Sequence, residues 1–340
     1  MYWLRMPEKI YFKKGCMPVA MDELSAVYGK KKSFIVTDTF LYKNKRISSV
    51  EEKLNGMHIQ HFCYYKIDQT PYFCNIISGG EAMRLFEPDV IIAVGGGAVI
   101  DAAKLMRIMY EHPEADLRKL SEDHNDIRNR DKVFPKTGTK AMLVTIPTTS
   151  GTGSEVSPYA VFTDTDQEYV IADYTIMPDM AIFDADFMMD QPKDITASSG
   201  LTALVHAVSA YNSKIATKYT DGFALKALEN ILEYLPSAYD KGAKDLVARE
   251  KLSEASAMAG IAYANTYSSI CGSEGAQYIA DLMRINAMEN EKSADRYYEC
   301  AKALGIDGKD KTEAVKNLIS SIKDVIQHCG YENKCCRCFD

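Results

Sequence analysis

The feature that most constrains the fold is an apolar run followed by three glycines and an amphipathic helix, in the segment 91–104. The apolar residues 91–94 have the character of a buried strand, and Gly95, Gly96 and Gly97 follow them directly. Glycine lets the backbone approach phosphate oxygens, and the free amides and dipole of the next helix favour negative charge. The segment therefore predicts a nucleotide-binding α/β enzyme. Strict dinucleotide spacing would need glycine at Ile100, so a packing turn without a ligand stays an alternative.

The first half of the chain alternates strand patterns with helical patterns. Apolar runs predict strands at 34–37, 90–94, 142–146 and 180–183. Helical patterns lie between them, for example at 79–86 and 100–110. A hairpin is expected from 160–163 and 169–172, with its turn at 164–167. Strands that alternate with helices indicate βαβ units and a mostly parallel sheet.

From about residue 196 the apolar residues take helical spacing, and few strand patterns remain. Helices are expected there at 253–264 and 311–329, among others. The chain is therefore predicted to hold an α/β dinucleotide-binding domain at 1–190 and an all-helical domain at 191–340. Ligands of such open sheets bind beyond the carboxyl ends of the strands, in a crevice that a second domain would close.

Charge and composition argue against several functions. The chain has 40 Lys and Arg against 47 Asp and Glu, a net charge of −7, and no basic stripe, so no nucleic-acid partner is expected. No apolar run is long enough for a membrane span and no signal peptide is evident, which predicts a cytoplasmic protein without a membrane partner. Scattered cysteines suit reduced thiols. The cluster of Cys329, Cys335, Cys336 and Cys338 is either a soft-metal or redox tail or a disordered end that is rich in cysteine.

A second glycine loop follows the strand predicted at 142–146 and reads Pro-Thr-Thr-Ser-Gly-Thr-Gly-Ser-Glu over 147–155. Together with the segment 91–104, this loop resembles the iron-containing alcohol dehydrogenase family. Further motifs are similar to the alcohol dehydrogenase half of bifunctional aldehyde-alcohol dehydrogenases, and they lie at 10–15, 109–114, 172–174 and 219–222. The resemblance implies an α/β domain that binds NAD, a helical metal-binding domain, and hydride transfer between NAD and a short-chain alcohol or aldehyde.

The resemblance also assigns residues to the cofactor. The expected NAD-binding residues are Asp38, Gly95, Gly96, Gly97, Asp101, Thr148, Thr149 and Ser150. Asp38 would hold the adenosine ribose and repel a 2′-phosphate, which favours NAD, although it is also a plausible helix N-cap. Asp101 is expected to cap the helix start. Lys104 is expected to be an ordinary exposed lysine.

The metal site that the family implies is incomplete in this sequence. The family uses one Asp and three His to hold iron or zinc, which polarises the alcohol oxygen. Here Thr202 stands at the Asp position, His206 is the sole retained ligand, and Gly272 replaces a histidine. The segment that carries the fourth ligand in the family is expected to be deleted in this chain, because no histidine lies between His206 and His328. Iron or zinc is therefore expected from the family but doubtful in this chain.

Three hypotheses about function follow. The first is an NAD-dependent alcohol dehydrogenase-like oxidoreductase with weak or lost metal-dependent activity. The second is a catalytically degenerate NAD-binding paralogue that acts as a binding or assembly partner. The third is a decayed chain that folds poorly. A homo-oligomer or association with related dehydrogenase chains is expected. Glu274 and Asp281, seven residues apart, could offer a substitute metal site with His206 if they share a helix face.

Overall fold

The computed structural model describes residues 3–68, 70–122, 134–266 and 273–334. Its contacts divide the chain into two compact units. The first, here called the α/β unit, comprises Arg5–Thr149 and Ser154–Met188. The second, the helical unit, comprises the chain from Met189 onward, the short segment Ser150–Gly153 and the residues before Arg5. The sequence predicts a single domain over 1–190, whereas these contacts group Ser150–Gly153 with the helices.

The α/β unit contains the strands and helices predicted for the first half of the chain. Its strands are β1 (Lys9–Phe12), β2 (Lys32–Asp38), β3 (Gln60–Ile67), β4 (Val90–Gly95), β5 (Met142–Pro147), β6 (Tyr159–Asp164), β7 (Gln167–Ala172) and β8 (Met180–Phe183). Its helices are α1 (Met17–Ala26), α2 (Thr39–Lys43), α3 (Ser48–Gly56), α4 (Phe73–Phe86), α5 (Gly97–Glu111) and α6 (Leu117–Ser121).

Six of these strands form one sheet in the order β1-β8-β5-β4-β2-β3, and every neighbouring pair is parallel. The prediction of a parallel sheet is therefore confirmed. Strands β6 and β7 form the expected antiparallel hairpin, with Thr163 opposite Glu168. After β3 the chain returns to the other side of β2 to form β4, so the strand order reverses between β2 and β4. A reversal of this kind is where open α/β sheets bind ligands.

The sheet is covered on both faces, because successive side chains of a strand point to opposite sides. In β4, Ile91 and Ala93 face a core with residues of α4 and α5, whereas Ile92 and Val94 face a core with residues of α1 and α3. All six residues of β4 are buried. Continuous burial of this central strand explains why its sequence reads as an uninterrupted apolar run.

The helical unit contains long helices, as the sequence predicted. They are α7 (Lys193–Tyr211), α8 (Lys218–Lys241), α9 (Leu246–Ala264), α10 (Ser273–Glu289), α11 (Glu291–Ala303) and α12 (Lys311–His328). Helix α8 begins with a capping box in which Thr217 and Thr220 exchange side-chain and backbone hydrogen bonds. The Arg296 guanidinium on α11 binds the Asp221 carboxylate on α8 through both nitrogens, which ties the two helices together.

Candidate cofactor and metal sites

The candidate cofactor residues of the α/β unit lie at the carboxyl edge of its sheet. Gly95 at the end of β4 is in register with Pro147 at the end of β5. Val36 of β2 is in register with Ala93 of β4, so Asp38 ends its strand at the same edge. The parallel register therefore brings together three chain segments that are far apart in sequence, on both sides of the position where the strand order reverses.

The glycine turn between β4 and α5 leaves the helix start uncovered. Gly96 is the N-cap of α5, has no side chain to bind the first amides, and is half-buried. A Cβ on Gly95 would lie 2.6 Å from the Val99 side chain, so glycine there allows α5 to pack against the strand end. A Cβ on Gly96 would meet only the Thr149 side chain, at 3.4 Å. Free amides and an opening beside them fit a phosphate group.

The loop after β5 contributes a hydroxyl to this opening. The Thr148 amide donates to the Gly95 carbonyl at 3.0 Å, which fixes the loop against the glycine turn. The Thr149 hydroxyl is buried and has no hydrogen-bond partner among the described residues. A buried hydroxyl without a partner costs free energy, and a bound polar group would supply the missing bond. Gly96, Gly97 and Thr149 together are called the cradle below, and they fit a cofactor diphosphate.

Asp38 caps a helix, as one of its two interpretations predicted. Its carboxylate accepts a hydrogen bond from the Leu41 amide at 2.7 Å and begins α2. Burial raises the pKa of this carboxyl above its usual value, against the bonds from the Leu41 and Phe40 amides. The N-cap interpretation is therefore confirmed, and contact with a ribose stays a prediction.

Asp101 does not cap the helix start, which corrects that expectation. Helix α5 begins at Gly97, because Gly96 serves as its N-cap, so Asp101 is already inside the helix. Its carboxylate is buried and accepts a hydrogen bond from the Val161 amide of β6 at 3.1 Å. Burial raises the pKa of this carboxyl. Asp101 thus joins α5 to the hairpin, and its predicted contact with the cofactor stays a prediction.

Lys104 is fully buried, so the expectation of an exposed lysine was wrong. Its ammonium donates to the carbonyls of Ser157 at 3.0 Å and Tyr159 at 2.5 Å. It also lies 3.8 Å from the Asp101 carboxylate. Burial lowers the pKa of Lys104 to about 8, although the charges of Asp101 and Glu155 oppose that shift. Lys104 therefore holds the segment 157–159 against α5.

One sequence signal could have located this buried cation. Asp101, Lys104 and Arg107 recur every three residues in a helix that is otherwise mostly apolar. A helix that is apolar on nearly all sides is buried, and charges inside it then need partners. Arg107 follows the same rule, since it is buried and binds the Asp179 carboxylate at 3.0 Å.

In the helical unit, Thr202 and His206 lie one turn apart on α7, and the Thr202 hydroxyl is not arranged as a metal ligand. The Thr202 hydroxyl donates to the Ser198 carbonyl at 2.8 Å, four residues earlier in the helix. The His206 imidazole is buried and stacks on the Tyr263 ring, with 4.1 Å between ring centroids. Its Nδ1 has no hydrogen-bond partner among the described residues, and burial lowers the pKa of His206 to about 4. His206 is therefore a buried, neutral imidazole.

Among the described residues, the donors on α7 do not form a metal site of the family's kind. Within the described ranges no group of three or more His, Cys, Asp and Glu side chains could hold one. The substitute site predicted from Glu274, Asp281 and His206 is not formed, and Asp281 instead binds the Arg284 guanidinium at 2.8 Å. Gly272 lies outside the described residues, and its side chain could offer no ligand in any case. One imidazole and one neutral hydroxyl are a poor ligand set for Fe²⁺ or Zn²⁺.

Three of the described thiols, those of Cys63, Cys300 and Cys329, are not reactive candidates. Cys16, Cys63, Cys74, Cys300 and Cys329 are free thiols. Burial raises the pKa of Cys63, Cys300 and Cys329 to about 12, which keeps them protonated at neutral pH. Cys335, Cys336 and Cys338 lie outside the described residues, so the two interpretations of the tail stay open.

Comparison with known families agrees with the division into an α/β region and a helical region. A model described as iron-containing alcohol dehydrogenase matches residues 7–185, and a model of the C-terminal region of the same family matches residues 196–273. The chain therefore belongs to the iron-containing alcohol dehydrogenase family, which confirms the resemblance drawn from its motifs.

Three curated relatives place the chain within this family. The bifunctional aldehyde-alcohol dehydrogenase AdhE of Escherichia coli strain K12 is 40% identical, over 93% of this chain and 39% of the relative. An aldehyde-alcohol dehydrogenase of Clostridium acetobutylicum is 39% identical, over 96% of this chain and 41% of the relative. The chain thus spans about two fifths of these two relatives. An NADPH-dependent butanol dehydrogenase of Clostridium saccharobutylicum is 33% identical, over 94% of this chain and 82% of the relative.

Solved structures show the same fold. An iron-containing alcohol dehydrogenase of Thermococcus thioreducens superposes with a TM-score of 0.86 at 28% identity, over 97% of this chain and 86% of its own. An alcohol dehydrogenase of Oenococcus oeni superposes with a TM-score of 0.87 at 26% identity, over 98% of this chain and 88% of its own. Among the described residues, no helix has the length and apolar character needed to cross a membrane.

Proposed function

We propose that this chain is an alcohol dehydrogenase-like protein that binds NAD in its α/β unit and has weak or lost metal-dependent activity. A protein with intact activity would use the bound NAD to accept a hydride from the carbon of a short-chain alcohol. The proposal separates two capacities that the family combines: holding the coenzyme and polarising the alcohol oxygen.

Support for coenzyme binding comes from the cradle. Gly96 leaves the amides at the start of α5 uncovered, and the buried Thr149 hydroxyl lacks a partner among the described residues. Asp38, at the end of the neighbouring strand β2, would bind the ribose hydroxyls and repel a 2′-phosphate. That charge argues for NAD, even though the name of one relative specifies NADPH.

The loss of metal-dependent activity is inferred from ligand chemistry. The observation that carries it is the state of α7: the Thr202 hydroxyl binds the helix backbone, and within the described ranges His206 belongs to no group of three His, Cys, Asp and Glu side chains. A metal that stabilises an alkoxide contributes several kcal/mol to the transition state, and its loss therefore costs orders of magnitude in rate. No catalytic residue is assigned in its place.

The test measures the two capacities on the same purified protein. Isothermal titration should detect NAD binding, and Gly96→Val, whose side chain would enter the cradle, should weaken it at least about tenfold. Elemental analysis after incubation with Fe²⁺ or Zn²⁺ should find far less than stoichiometric metal, and ethanol and acetaldehyde should show little or no turnover. Stoichiometric iron with turnover would overturn the proposal, and so would absence of NAD binding.

A double variant locates the cause of the loss. Thr202→Asp with Gly272→His restores two of the donors that the family uses, one carboxylate and one imidazole. A gain in metal affinity would show that these two substitutions caused the loss, whereas no gain would assign it to the missing segment. NAD binding without metal or turnover would favour the alternative of a binding or assembly partner. We propose a cytoplasmic location and a homo-oligomer, or association with related dehydrogenase chains, on the family's precedent alone.

A further inference from the structure

A groove of about 370 Å³ lies between α10, α11 and α12 in the helical unit. Its floor is apolar and is formed mainly by the buried side chains of Val315 and Ile319, and the exposed Met288 side chain lies at its edge. Its rim carries only positive charges: four basic residues and no acidic residue line it. The basic residues are Arg284, Lys311, Lys316 and Lys323. None of the lining residues belongs to the cofactor or metal positions described above, so this groove is a separate feature.

The rim has an excess of positive charge that the described residues do not neutralise. Arg284 binds Asp281, and Lys311 binds Asp295. Lys316 and Lys323 have no ion-pair partner anywhere in the described ranges. They are seven residues apart on α12, so they lie on the same face of the helix. Two unpaired ammonium groups beside an apolar floor favour a ligand with an anionic head and an apolar chain.

We propose that this groove binds a linear medium-chain carboxylate, with its chain on the apolar floor and its carboxylate at Lys316 and Lys323. The volume lies at the lower end of the range typical of small-molecule pockets. The groove follows α12 from Lys311 to Lys323, so a single extended chain such as that of decanoate fits within its length.

The same volume argues against a docked helix. The groove follows α12 from Lys311 to Lys323, a length of about 18 Å at the helical rise of 1.5 Å per residue. A helix of that length, about 10 Å across with its side chains, would occupy well over about 1,000 Å³. A single extended chain fits the groove, whereas a helix would leave most of its surface outside it.

The test is isothermal titration of the full chain with decanoate below its micelle concentration. The titration with decanoate should give a single binding isotherm that saturates. Decan-1-ol, which has the chain without the charge, should bind at least about tenfold more weakly, and acetate, which has the charge without the chain, should not bind. Equal affinity for decanoate and decan-1-ol would overturn the proposed role of the lysines, and absence of decanoate binding would overturn the site.

Two variants and one control localise the binding. Lys316→Glu with Lys323→Glu should weaken decanoate binding about tenfold, because it replaces attraction by repulsion at the rim. Ala294→Trp should weaken it by filling the groove. Lys244→Glu changes an exposed lysine outside the groove and should leave the affinity unchanged. Thermal melts check that all variants fold, and unchanged decanoate affinity in folded forms of both groove variants would contradict the assignment. The site does not depend on the proposed coenzyme function.

Discussion

Glycine has opposite roles in two loops of this chain. In the α/β unit, a Cβ on Gly96 would meet nothing closer than Thr149 at 3.4 Å, so the missing side chain leaves an opening. In the helical unit, a Cβ on Gly151 would lie 1.8 Å from the Ser199 carbonyl oxygen. A Cβ on Gly153, whose φ is +69°, would lie 2.8 Å from the Gly260 Cα. The first loop leaves room for a ligand, and the second is filled by helix backbone.

This difference shows why glycine-rich motifs are ambiguous in a sequence. Both loops follow a buried strand and both are rich in glycine, so both are predicted from their motifs to bind the cofactor. Ser150, predicted to bind the cofactor, is buried and belongs with the helices. The two roles of glycine can be distinguished only by the space around the Cβ position. That space is filled where glycine is needed for packing, and it is free where glycine leaves a site open.

The largest effect is expected from Gly151→Ala. The added methyl group would overlap a backbone carbonyl, which cannot move away as a flexible side chain could. We expect the free energy of unfolding to fall by about 4 kcal/mol, or the helical unit not to fold. The measurement is urea denaturation followed by circular dichroism. Gly222→Ala on α8 is the matched control, because its Cβ would meet nothing within 4 Å and alanine favours a helix. A stable Gly151→Ala variant would mean that this loop has room after all.

The second effect concerns the buried ammonium that supports the α/β unit. Lys104→Met removes the donor to the Ser157 and Tyr159 carbonyls and leaves the Asp101 carboxylate without its neighbouring cation. At pH 7 we expect the free energy of unfolding to fall by about 3 kcal/mol. Lys119→Met changes an exposed lysine on α6 and should have almost no effect.

The same variant gives a pH dependence with a defined sign. The folded chain releases the Lys104 proton near pH 8, whereas the unfolded chain holds it up to the ordinary value of 10.5. Between these values the unfolded state binds more protons, so the contribution of Lys104 to the wild-type unfolding free energy rises with pH. The difference in unfolding free energy between wild type and Lys104→Met should therefore widen, by about 3 kcal/mol across the window. A difference that narrows above pH 8 would contradict the lowered pKa of the buried Lys104.

Most of the fold could be predicted because its signals are local. The strands at 90–94 and 142–146 are continuous apolar runs, and the helices between them have clear spacing, so both types of element were identified. The hairpin was equally clear, because its turn residues stand between two alternating runs. The grouping of Ser150–Gly153 with the helices could not be predicted, since it depends on backbone contacts distant in sequence.

The site was predicted less completely, because side-chain environment is not local. The positions of Gly96 and Thr149 followed from motifs, but the unpaired state of the Thr149 hydroxyl depends on how β4 and β5 are paired. Lys104 was misjudged because its spacing from Asp101 was not weighed against the apolar surface around it. The burial of His206 against Tyr263 is a contact between α7 and α9, which no sequence pattern contains.

The smallest effect, and the most specific one for the cradle, is expected from Thr149→Val. Valine keeps the shape of threonine and removes a buried hydroxyl that has no partner among the described residues. The free energy of unfolding should therefore rise by about 1 kcal/mol. If the hydroxyl binds the cofactor, the same change should weaken NAD binding about threefold to tenfold.

Thr145→Val on β5 supplies a control of opposite sign. Its hydroxyl is also buried, but it donates to the Met180 carbonyl at 3.3 Å, so its removal should lower the free energy of unfolding by about 1 kcal/mol and leave NAD affinity unchanged. A Thr149→Val variant that is more stable but binds NAD more weakly would show two things. The unpaired hydroxyl lowers the stability of the free protein, and it gains its hydrogen bond from the bound cofactor. A stabilised variant with unchanged NAD affinity would instead make the cradle a second packing turn, and the contrast between the two glycine loops would disappear.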